Sequence, residues 1–81
     1  MTRQEKYDRL IELLSSVENF EKRPKATWTN EEIYIFNQRE KLKEYLKIID
    51  TTSGDKKTIA EQNFDIIYAK LWLKLDELGW K

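Results

Sequence analysis

No cysteine and no histidine occur among the 81 residues, and proline appears once and glycine twice. Each scarcity removes a class of explanation. Without a thiol or an imidazole there is no disulfide, no Cys/His zinc site, and no thiolate or imidazole for nucleophilic or acid–base work. No glycine-rich loop can cradle a phosphate, because Gly54 and Gly79 both fall where helical patterns end. Charge of one sign is missing as well: 15 Lys and Arg offset 15 Asp and Glu. Nucleic-acid binders normally carry excess positive charge to displace phosphate counterions, so the composition weighs against that class. Near-neutrality instead favours association. No apolar run exceeds that of Ile33-Tyr34-Ile35-Phe36, far shorter than the ~20 residues that cross a bilayer. Met1-Thr2-Arg3-Gln4-Glu5-Lys6 leads into no signal-type apolar core. These features predict a soluble cytoplasmic protein with no membrane partner. Frequent Lys, Ile, Asn and Tyr beside few Ala, Gly and Pro suggest AT-rich coding, as in a low-GC bacterium or its phage.

What is present is enough apolar surface for one core, in a single domain spanning 1–81, at a length where one core is only marginally sufficient. The spacing predicts an all-α fold with helices over about 2–20, 30–49 and 55–78. In the first, Tyr7, Leu10, Ile11, Leu13, Leu14, Val17 and Phe20 form one stripe, opposite Asp8, Glu12, Ser15 and Asn19. Pro24 interrupts the pattern. Thr29-Asn30-Glu31-Glu32 reads as a capping box opening the second helix, with Trp28 and Ile33 placed as a hydrophobic staple. Its inner stripe is Ile35, Gln38, Leu42, Tyr45, Leu46 and Ile49. After a polar turn, Ser53 or Asp55 is expected to cap the third helix, with Thr58 and Glu61 as a later alternative. Its main stripe is Ala60, Phe64, Ile67, Leu71, Leu75 and Leu78, and Ile59, Ile66 and Leu73 make a second stripe at seven-residue intervals. So broad an apolar arc suits a helix with more than one neighbour. Short connections predict antiparallel neighbours and an up-down-up three-helix bundle.

Chemical motifs are weak. Asp50 and Glu61 match the ends of a calcium loop, but Thr52, Gly54 and Asp55 occupy positions that require other residues. Thr58-Ile59-Ala60-Glu61 resembles the start of a helix-turn-helix, yet the helical pattern continues to Leu78 without the turn. Asp76 and Glu77 are adjacent carboxylates, and adjacent helical positions do not face each other. No catalytic, cofactor-binding or metal-binding residue is nominated, and no enzymatic activity is expected.

By elimination, the expected function is a small helical interaction protein, an inhibitor or regulatory adaptor that binds another protein. Its candidate partner face is Ile66, Lys70, Trp72, Leu73, Lys74 and Glu77, with a secondary patch at Trp28, Ile33 and Phe36. The competing expectation is that Ile66 and Leu73 close the monomer's own core and that Trp28, Ile33 and Phe36 meet Leu73 and Trp80. A homodimer through the second stripe of helix 3 is an alternative. A nucleic-acid protein using Lys22, Arg23, Lys25, Lys41, Lys43 and Lys47 is another. Gly79 fits a left-handed helix end that folds Trp80 back onto Leu75, leaving Trp72 as the tryptophan more available to a partner.

Overall fold

A computed structural model describes residues 1–16 and 20–79. Helix α1 spans Arg3–Ser16, α2 Asn30–Thr51 and α3 Asp55–Glu77, with short 3₁₀ turns at Phe20–Lys22 and Lys25–Thr27 between α1 and α2. No strand occurs among the described residues. The fold is an all-α three-helix bundle. Among the described residues no helix is long and apolar enough to cross a membrane.

Local chemistry accounts for where the helices begin. The Thr29 hydroxyl accepts from the Glu32 N–H at 3.2 Å, while the Thr29 N–H donates to Glu32 Oε1 at 2.8 Å. This completes the predicted capping box. A second box, not anticipated from the sequence, opens α1. There Thr2 N–H donates to Glu5 Oε1 and Glu5 N–H to the Thr2 hydroxyl, both at 3.1 Å. Helix α3 starts differently. Gly54 precedes it at φ 69, with no side-chain cap from Ser53 or Asp55. Thr58 donates its hydroxyl to the Gly54 carbonyl at 3.2 Å, and Glu61 turns to Arg3, so the alternative capping box does not form. Gly79, at φ 72, takes the left-handed conformation expected of a helix end. Trp80 and its clamp on Leu75, together with Val17 and Asn19, lie outside the described residues.

The first helix is described from Arg3 to Ser16, and Phe20, the last residue of its predicted extent of 2–20, departs from it. Phe20 is buried, but as the first residue of a 3₁₀ turn. Its ring meets Trp28 edge-on at 5.0 Å, and Trp28 lies 5.2 Å from Phe36. Phe20 therefore anchors the connection instead of extending α1. Trp28 Nε1–H donates to the Arg23 carbonyl at 3.1 Å, and Arg23 pairs with the buried Glu32 carboxylate. The connection is thus fastened to the start of α2.

Leu10, Leu14, Phe20, Ile35, Leu42, Leu46, Phe64, Leu71 and Leu75 form the core. Gln38 is half-buried at its edge. Helix α1 runs alongside α3 in the same direction: Arg3 pairs with Glu61 at 2.9 Å and Asp65 at 2.8 Å, and Lys6 lies over the Tyr68 ring at 5.7 Å. Helix α2 runs the other way, with Tyr34 near its start facing Lys74 near the end of α3. This is the predicted up-down-up arrangement. With 14 residues against 22 and 23, α1 is the short helix, and it covers one side of the α2–α3 pair.

Candidate interaction surface

The position of α1 decides which side chains of α2 and α3 remain accessible. On its side, α3 presents Glu61, Asp65 and Tyr68, all engaged by Arg3 or Lys6. Trp72 follows Tyr68 on this flank, its ring 6.0 Å away, and is half-buried against the core. On the same side α2 presents Arg39 and Lys43 next to Tyr7 and Ile11 of α1. Arg39 pairs with Glu21 and Glu40 and lies 5.1 Å from the Phe36 ring centroid.

The opposite side has no such cover. There α3 exposes Ile59, Ile66 and Leu73, at 56%, 53% and 64% of their full accessibility. A seven-residue interval is nearly two turns, so the three residues align as a ridge. Between this ridge and α2 lie two separate hollows. The one at the turn end is an apolar groove of about 380 Å³, lined by Tyr45, Ile48 and Thr52 of α2 and Lys56, Ile59, Ala60 and Asn63 of α3. At the other end Asn30, Glu31, Tyr34 and Lys74 line a more polar hollow of about 360 Å³. Lys74 Nζ sits 6.0 Å from the Tyr34 ring and 3.9 Å from Glu77.

The structure therefore brings together most of the predicted partner face. Ile66, Lys70, Leu73 and Glu77 are exposed and Lys74 is half-buried beside them. It separates Trp72, which lies one residue-step from Leu73, ~100° around the helix, towards the α1 side. The secondary patch also divides. Trp28 and Phe36 pack against the core, whereas Ile33 stays 41% exposed. Leu73, at 64% exposure, is not enclosed by Trp28, Ile33 and Phe36.

Sequence reasoning missed the α2 wall of the groove. Tyr45 belongs to the core stripe by spacing, and Ile48 belongs to no stripe, so neither signals a second surface alone. The basic residues considered for nucleic acid do not share one surface. Arg23 is engaged by Glu32. Lys25 Nζ lies 4.9 Å from the Phe36 ring centroid, and Lys41 points away from Lys43 and Lys47, which stand on the far side of α2.

Burial and partners perturb several ionisable groups around the core. Hydrogen bonding from the Thr29 backbone, helped by Arg23, holds the Glu32 carboxyl below its ordinary range against the opposing effect of desolvation. The Arg3 hydrogen bond does the same for Asp65. Burial raises Tyr7. No protein-family description, no curated protein and no solved structure matches this chain.

Proposed function

We propose that the chain is a small, non-enzymatic protein-interaction module that acts as an inhibitor or regulatory adaptor. Its working surface is the side of α2–α3 that α1 leaves uncovered. The supporting observation is the ridge of Ile59, Ile66 and Leu73, more than half exposed on the helix that buries Phe64, Leu71 and Leu75 completely. Isolated exposed aliphatics are ordinary, but an aligned set beside an apolar groove is characteristic of interaction sites. Capture from a bacterial lysate, with mass spectrometry of the bound proteins, tests the reading. Ile66→Asp and Leu73→Asp should lose a partner that wild type retains, while circular dichroism shows both variants still helical. Retention of every partner by both variants overturns it.

Self-assembly through the same ridge is the second reading, favoured by the equal totals of acidic and basic residues. Light scattering after size exclusion separates the two. A monomer at tens of micromolar removes the dimer.

A further inference from the structure

We infer that the open α2–α3 groove receives an amphipathic helix whose apolar stripe is bordered by Asp or Glu; this rests on the protein-binding reading above and specifies its partner. The molecule already contains one example of such docking. On the other side of α3, α1 packs Leu10 and Leu14 into the core and sets a cation, Arg3, against Glu61 and Asp65. There α3 contributes the acids and the docked helix the base.

On the open side the signs are reversed. Lys41 of α2 and Lys56 and Lys70 of α3 are exposed; Lys56 lines the groove, and helical spacing puts Lys70 beside Ile66 and Lys41 beside Tyr45. Among the described residues none of the three takes part in an ion pair. Most acids near this side stand at helix ends, the exception being Glu44 at the outer edge of α2, one turn from Ile48. Glu31 and Asp55 occupy first turns, where they complement the helix dipole, and Glu77 faces Lys74. Along α3 the apolar stretch between those ends is bordered by lysine: Lys56, Lys70 and Lys74.

Shape selects a helix. Ile59 to Leu73 extends ~21 Å along the axis at ~1.5 Å per residue, a length matched by four turns of a partner helix. Among the described residues no strand edge is available for β-addition, so helix-in-groove is the available peptide mode. Charge argues against a second copy of the chain. A two-fold contact places each patch against itself, bringing lysine-bordered grooves face to face. A nucleic acid would meet the lysines but gain little from Ile59, Ile66 and Leu73.

The test uses the full chain and a displayed library of amphipathic helices of about four turns. Apolar positions vary among Ala, Val, Ile, Leu and Phe, and flanking positions vary among Glu, Lys and Gln. Helices that bind wild type and are lost on Ile66→Asp should carry Glu at the flanks about threefold more often than Lys. The same helices should bind Lys56→Glu/Lys70→Glu about tenfold more weakly, and high salt should narrow the difference. Lys22→Glu, in the connection beside Glu21, which pairs with Arg39 on the α1 side, should leave them unchanged. Selected helices with Lys at the flanks as often as Glu overturn the charge inference while leaving a protein-binding ridge intact. No helix that distinguishes wild type from Ile66→Asp overturns the helical occupant, and lysate capture then judges the broader reading separately. A stable dimer in light scattering overturns it in favour of a second copy, and low-salt binding of duplex or single-stranded DNA that Ile66→Asp leaves intact overturns it in favour of a nucleic acid.

Discussion

Leu71 and Leu73 are the same residue, two positions apart on one helix, yet Leu71 has no exposed surface and Leu73 keeps 64% of its own. Two helical steps turn a side chain through ~200°. That rotation carries Leu71 into the shared core and Leu73 to the side without a third helix. Ile66 and Phe64 repeat the contrast one heptad earlier, at 53% and 0%. Hydrophobicity along α3 therefore reports two different things. One stripe pays for folding, and the other stays exposed beside the groove.

Mutation should separate these roles, with the largest effect on the buried stripe. Phe64→Ala is expected to destabilise by ~3–5 kcal/mol and Leu71→Ala by ~2–5 kcal/mol, through lost burial and the cavities created. Chemical denaturation monitored by circular dichroism reads both. Leu73→Ala and Ile66→Ala should change stability by no more than ~0.5 kcal/mol. A loss comparable to that of Leu71→Ala would show that the ridge is internal after all.

The helix starts sharpen the comparison at an intermediate scale. Thr29→Ala removes one half of a reciprocal cap and should cost ~1 kcal/mol, read by the same unfolding curves. Thr58→Ala touches only a hydroxyl bonded to the Gly54 carbonyl, and its cost should be smaller.

Acid should act on the core side of the molecule. Glu32 and Asp65 have pKa values lowered from 4.5 and 3.8 by their bonds to Thr29 and Arg3. A lowered folded pKa means the unfolded chain binds protons more readily. The associated stability is fully present above the unfolded values and is lost as pH falls through the folded ones. Unfolding midpoints measured downward from pH 5 should decline, and Glu32→Gln should flatten the decline. A modest effect is expected from Arg3→Ala. The ion pairs of Arg3 with Glu61 and Asp65 are partly exposed and should contribute ~0.2–1 kcal/mol, decreasing with salt.

Much of the fold was legible because its signals are local. The Thr29–Glu32 box, Pro24, Gly79 and the stripes of α2 and α3 each act over a few residues. The Thr2–Glu5 box has the same local spacing, but it stands directly before the apolar pattern that dominates this stretch. The end of α1 was less legible: Phe20 continues the spacing, but its ring is captured by Trp28, across the connection. The candidate surface was legible by half. Ile66 and Leu73 declared themselves by heptad spacing, but the flank of α3 carrying Tyr68 and Trp72 is also apolar. Periodicity treats both flanks alike. Which one α1 covers depends on the handedness with which the chain winds back, and only the assembled bundle shows this. Trp72 accordingly sits beside Tyr68 on the covered side, and Tyr45 and Ile48 complete the open groove from another helix.

Gly54 makes the groove a property of one molecule. Its φ of 69 and ψ of −141 belong to backbone space that glycine readily occupies and other residues avoid. Nothing lies within 4 Å of the Cβ that an alanine would add. The penalty of Gly54→Ala is therefore conformational, ~1–3 kcal/mol. It bears directly on the reversal between α2 and α3. If that reversal straightens, the two helices join into a rod, and α3 can recover its core only against the α2 of another copy. Gly54, after the extended Thr52, thus shapes the reversal that keeps α2 and α3 in one hairpin.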